Sequence, residues 1–282
     1  MTATATRALV TGPGVFDDVP EDAYHSDAAL DPALGRSLSV TDSKKLLPPS
    51  CPALFKHYRD HGQKPKPEFD FGTAAHTLVL GKGDRIQEVE YPNWTTNAAK
   101  KARDEARAAG RVPLLSKDLR RAEAVARSVM DHPVAGAIFS EGRAEVSLYE
   151  QDTETGVMLR RRVDWVRDNA LVDLKTVQGG GANPTKFGRT AADYGYHIQD
   201  AAYTDTHRAL TGEALPFLFV LVEKVEPYLV SVVQLDDEAR SIGRALTRQA
   251  ISTYHACELA GYWPGYDDIE ISSLPTYYTN TH

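Results

Sequence analysis

The residues best placed to do chemistry sit in a six-residue stretch, Leu171-Val172-Asp173-Leu174-Lys175-Thr176. It reads as a short buried strand. Residues two apart in a strand leave the same face, so Asp173 and Lys175 emerge together while Val172 and Leu174 pack behind them. Buried charge is costly unless it is paired or binds an ion. A second acid lies just upstream. In the preceding strand, Arg162, Asp164 and Val166 are expected on one face, with Val163 and Trp165 on the other. The tight turn Asp168-Asn169 then brings Asp164 beside Asp173. Two carboxylates that close repel unless a cation lies between them. Mg²⁺ is the natural cation, since it takes one or two carboxylates and keeps several waters. Lys175 could then orient a metal-bound water or neutralise charge on a phosphoryl oxygen. The competing reading is a surface salt-bridge cluster.

Helices must supply the rest. Gln199 and Tyr203 are four apart and share a helix face. His76 lies in a helix of small and apolar residues, Gly72-Thr73-Ala74-Ala75-His76, which can pack closely on a sheet. Its imidazole could reach a metal, or it could be a core histidine. Lys100, Arg103, Arg107 and Arg111 recur at three- and four-residue steps and form a basic stripe. The stripe is a candidate lining for a DNA channel, or else a solvated helix face.

The elements that carry these residues follow from periodicity. Residues 1–23 form an expected loose lead-in. Ser39 caps a short helix containing Lys44, and Pro48-Pro49 ends it. Helices are predicted over 71–81, 95–110 and 116–130, the last capped by Ser116. The period then falls to two, giving strands at 145–150, 157–166 and 171–177, an antiparallel meander. One helix over 191–210, strands at 217–223 and 228–235, and a long helix at 236–261 complete the chain. The predicted fold class is α/β (α+β), a central mixed sheet covered by helices. A single domain is expected over 24–282, mainly helical to residue 135 and sheet-containing over 144–262.

The chain has 282 residues, a formal charge of −7 at pH 7 and two cysteines, Cys51 and Cys257. Two cysteines exclude a disulfide framework and a four-thiolate cluster within one chain. The acidic balance counts mildly against a nucleic-acid binder, although a local basic channel can sit on an acidic body. No apolar run reaches membrane-span length, and the first residues lack the core of a signal peptide, so a cytoplasmic protein is expected. Neither Gly12-Pro13-Gly14 nor Gly179-Gly180-Gly181 leads into the G-K-[ST] of a P-loop, so no ATP motor is expected.

Taken in order, these pieces resemble the RecB-type branch of the PD-(D/E)xK nucleases. They resemble more closely the C-terminal nuclease domain of RecE (exonuclease VIII) and its phage relatives. The matching segments are Phe71-Gly72-Thr73-Ala74-Ala75-His76, Glu145-Val146-Ser147-Leu148-Tyr149, Arg161-Arg162-Val163-Asp164, Val172-Asp173-Leu174-Lys175-Thr176 and Tyr196-His197-Ile198-Gln199-Asp200-Ala201-Ala202-Tyr203. The run from Ser39 to Cys51-Pro52 and Phe55 resembles the entry motif of that branch.

The resemblance implies a metal-dependent DNA exonuclease with a PD-(D/E)xK core. It implies that His76, Asp164, Asp173 and the Leu174 carbonyl hold Mg²⁺ or Mn²⁺. Lys175 would act on the attacking water, and Gln199 and Tyr203 would brace the site. Glu145 would be an accessory acid. It further implies double-stranded DNA ends as substrate, a ring-shaped homo-oligomer, 5′-to-3′ digestion leaving 3′ overhangs, a single-strand annealing partner, and a bacterial or phage-infected bacterial cell as the setting. Some members carry an iron–sulfur cluster; with only Cys257 to join Cys51, none is expected here. The alternatives are a structure-specific endonuclease of the same superfamily and a catalytically silent DNA-binding module.

Overall fold

The computed structural model describes residues 9–62, 67–267, 269 and 271–274. The chain begins with β1 (Gly14–Phe16), α1 (Glu21–Ser26), β2 (Ser37–Leu38), α2 (Val40–Lys45), α3 (Pro52–His61) and α4 (Pro67–Leu80). A small parallel pair, β3 (Arg85–Val89) and β4 (Arg111–Leu115), brackets α5 (Asn97–Ala108). Then come α6 (Ser116–Asp131), α7 (Pro133–Phe139), β5 (Arg143–Gln151), β6 (Met158–Arg167) and β7 (Ala170–Val177). After α8 (Phe187–Tyr194) and α9 (Tyr196–Thr211), the chain closes with β8 (Phe217–Glu223), β9 (Val230–Val233) and α10 (Asp237–Ala260).

The main sheet runs β1-β5-β6-β7-β8-β9, with β2 parallel to β6 beside it. The strands β5, β6 and β7 form the expected antiparallel meander. Through the α8–α9 crossover, β8 returns parallel to β7, from Leu171↔Phe217 to Val177↔Glu223. One apolar cluster fills the space between the sheet and α9 and α10, around Phe217, Phe219, Ala202 and Tyr254. A second lies between the other face and α4, α6 and α7, around Phe71, Val125, Leu174 and Val220. Burying both faces explains why β8 reads as an unbroken apolar run.

Several expectations change. Gly14–Phe16, inside the expected lead-in, pairs with β5, and Val10 is fully buried. The single helix over 191–210 is two helices, because Gly195 adopts φ 64° between them. Arg111 starts β4 and is not part of the helix that carries Lys100, Arg103 and Arg107. Ser116 is the first helical residue of α6, not its cap. The expected alternation also breaks. Val163 packs in the α9–α10 cluster but Trp165 in the α4–α6 cluster, and Val146 and Ala144 divide the same way. The break falls at Glu145 and Asp164, which the pairing places opposite each other.

Candidate metal centre

Glu145 explains the break. Its φ is 55°, a left-handed backbone uncommon for a side chain of this type. The ladder between β5 and β6 steps from Ala144↔Trp165 to Val146↔Val163, so the two acids between them face one another. On the other side, the β6–β7 ladder ends at Trp165↔Val172, one step short of Asp164 and Asp173. There the Asp164 carboxylate accepts the Leu174 N–H at 2.8 Å. Three acids therefore stand in a row across three neighbouring strands, where the sheet opens.

Ligand atoms of His76, Glu145 and Asp164 all lie within 4.8 Å of one another. The imidazole Nδ1 is 3.4 Å from Asp164 Oδ2. It arrives from α4, whose Gly72 sits against β7; a Cβ there would be 3.7 Å from Thr176 Oγ1. Burial, and then the Asp164 charge, push the Glu145 carboxyl up to about 8; Arg162, 3.9 Å away, only partly offsets this. Burial, and then Asp173, push Asp164 up to about 6. Like charges opposite one another across strands are unfavourable. Strain and charge crowding at one spot make it the candidate site. This donor set, two carboxylates and an imidazole, suits a hard or borderline divalent cation, which would relieve the repulsion.

The structure places Asp173 differently. It is 2% exposed, accepts a hydrogen bond from Gln199 Nε2, and pairs with Lys175 Nζ at 2.6 Å. Burial pulls the Lys175 ammonium down, but Asp173 and Asp164 outweigh it and hold it above its ordinary value. Lys175 also lies 5.0 Å from the centre of the Tyr196 ring. Leu174 enters the site through its N–H. Tyr203 lines the cleft from α9, and burial holds its hydroxyl well above the usual range.

Glu145 and Asp164 open into a cleft of about 900 Å³. Its cationic lining is Lys45, Lys82, Arg160 and Arg162, with His25 at one side. The stripe residues are engaged elsewhere: Arg107 pairs with Asp70 at 2.6 Å, Arg103 with Asp104 at 2.8 Å, and Arg111 donates to Gln87 at 2.7 Å. Lys100 is exposed on the same helix. None of the four lines this cleft. Arg160 and Arg162 were findable, since they alternate with Asp164 along β6. Lys82, arriving from the loop after α4, left no signal.

A mixed sheet covered on both faces, with a meander that opens where it carries acids and a lysine, defines the PD-(D/E)xK class of folds. The chain belongs to the family described as a PDDEXK-like domain of unknown function (DUF3799), whose model matches residues 39–273. Among solved structures, the chain is similar to a candidate exonuclease from Eubacterium rectale, with a TM-score of 0.64 and 15% identity, covering 94% of this chain and 98% of that one. A phage-related exonuclease from Haemophilus somnus gives a TM-score of 0.33 at 11% identity, over 80% and 97% of the two chains. An alkaline exonuclease from Laribacter hongkongensis gives 0.30 at 14%, over 68% and 94%. At these identities the first likeness speaks to fold alone, and the other two add nothing to it. No curated protein matches the chain. No helix among the described residues is long and apolar enough to cross a membrane.

Proposed function

We propose that this chain is a divalent-metal-dependent deoxyribonuclease acting on the ends of linear double-stranded DNA. The observation that carries the reading is the row Glu145, Asp164 and Asp173 across the open sheet, with Lys175 beside it and His76 above. His76, Glu145 and Asp164 would hold Mg²⁺ or Mn²⁺, which when bound supplies an acidified water and screens charge on the phosphoryl oxygens. Asp173 keeps Lys175 charged and close, so the ammonium can neutralise charge developing at phosphorus. Gln199 fixes Asp173 and thereby aims Lys175. Tyr203 stays protonated and offers a hydroxyl to the cleft. Lys45, Lys82, Arg160 and Arg162 give the cleft the positive lining a phosphate backbone needs.

The resemblance to RecE-like enzymes supports the finer reading. The 5′-ended strand is removed, a 3′ overhang is left for an annealing protein, and copies of the chain form a ring around the duplex. The test is a linear duplex labelled at one 5′ or one 3′ end, digested with Mg²⁺ or Mn²⁺, with Asp173→Ala and Lys175→Ala as controls. Labelled nucleotide should leave the 5′ end first, and closed circular plasmid should stay intact. Nicking of the plasmid would instead assign an endonuclease. A folded, metal-binding protein that releases nothing from any substrate would end the nuclease reading.

A further inference from the structure

Lys44 is a cation in search of a partner. It lies on α2, next to the cleft-lining Lys45. Its Nζ is 5.5 Å from the centre of the Tyr196 ring, and Lys175 Nζ is 5.0 Å from the same ring. Two ammonium groups thus share one aromatic face-holder at the start of α9. The Lys44 stem lies against Gly195, where a Cβ would come within 3.2 Å of Lys44 Cε. Gly195 also supplies the left-handed turn between α8 and α9 that a side chain would resist.

Among the described residues, no carboxylate lies within ion-pair distance of Lys44. The acid that acts on it, Asp173, is already engaged by Lys175 and Gln199. Burial, and then the neighbouring Lys175, pull Lys44 down to about 8, as befits an ammonium short of negative charge. Like charges held together are relieved by an anion placed between or beside them.

We infer that Lys44, set by Tyr196 and Gly195 beside Lys175, seats the DNA phosphate adjacent to the one at which the bond is broken. Lys175 serves the scissile phosphate, and Lys44 takes the next in line. This rests on the nuclease reading above and adds a positioning residue to it. Both ammonium groups lie against the Tyr196 ring, at 5.5 and 5.0 Å from its centre, so the anionic groups they would bind are near neighbours. Arginine keeps the positive charge and also stacks on an aromatic ring, so Lys44→Arg retains the attraction this role needs.

The test is DNA binding in Ca²⁺, read without turnover, using duplexes that carry a single uncharged methylphosphonate at each linkage near one end. The unmodified protein should lose about tenfold in affinity at one linkage beside the scissile one. Lys44→Met should bind ordinary DNA about tenfold more weakly, with the slope of log affinity against log salt reduced by about one. It should also be indifferent to the methylphosphonate at that linkage. Lys44→Arg should restore most of the affinity and the linkage dependence. If Lys44→Met keeps the full linkage dependence, or if Lys44→Arg fails as Lys44→Met does while melting as the unmodified protein does, the inference is wrong. Because binding is read without hydrolysis, a protein that binds DNA in this pattern yet cuts nothing counts against the nuclease reading alone.

Discussion

Replacing Glu145 with Gln should stabilise the metal-free protein, an unusual outcome for a half-buried polar residue. The charged atoms of Glu145 and Asp164 lie within 4.8 Å. At an effective dielectric constant of about 20, two unit charges at that distance repel by about 3.5 kcal/mol. Attraction to Arg162, 3.9 Å away, offsets a repulsion of that size, so the substitution recovers chiefly the cost of burying the charge, about 2 kcal/mol. The sign depends on pH. The folded Glu145 keeps its proton up to about 8, whereas the unfolded carboxyl loses it near 4.5. Between those values the folded state binds the extra proton, so stability falls as pH rises. Glu145→Gln should therefore match the unmodified protein near pH 4.5 and exceed it at pH 8.5 in chelator. For a chain of this size the gain corresponds to about 4–8 °C in melting temperature. Adding Mg²⁺ should reverse the order, because a ligand that binds only the folded protein stabilises it and the variant has lost a donor. Thermal melts at several pH values, with and without metal, read all of this. A variant less stable at pH 8.5 in chelator, or a difference that ignores pH, would refute the argument from buried charge.

Other outcomes follow from single contacts. Lys175→Met should cut hydrolysis by about 10²–10³ while leaving the metal-induced rise in melting temperature, because it removes a group that stabilises developing charge and not one of the converging donors. Reversing Arg103 and Arg107 to Glu should change DNA affinity less than about twofold, as both are already paired with acids. Lys45→Glu, inside the cleft, should weaken binding severalfold and flatten its salt dependence, which a filter-binding titration across ionic strengths resolves. Gly243→Ala should destabilise by about 3 kcal/mol, since its Cβ would fall 2.0 Å from the His197 carbonyl oxygen between α9 and α10; urea melts measure it.

What could be seen in the sequence was whatever obeyed a simple period. Asp173 and Lys175 share a face because β7 alternates without interruption, and Val172 and Leu174 do pack behind them. Asp164 was legible as an acid one tight turn away. Its neighbours were not, because the left-handed residue at Glu145 and the open edge at Asp164 turn the alternation over between Val163 and Trp165. The same irregularity draws Glu145 into the donor set, something a regular strand pattern cannot express. The basic stripe is not one helix face for a related reason. Helical spacing counted Arg111, which lies in β4, and could not know that Asp70, far away in sequence, neutralises Arg107.

The three consecutive arginines of β6 have a practical consequence for anyone cutting this protein into pieces. Arg162 is held by Glu21 and the Val19 carbonyl, with Tyr24 stacked 4.1 Å away. Arg160 is held by Asp27 and Ser37, and Arg161 by the Leu38 carbonyl. All of these partners precede residue 39, where the family match starts. An expression clone trimmed to that match would strip the cover from guanidinium groups lying next to the acids. It would also leave the outer edge of β5 bare, a ready template for sheet-to-sheet aggregation. A clone that keeps residues 19–38 keeps these partners of the three arginines.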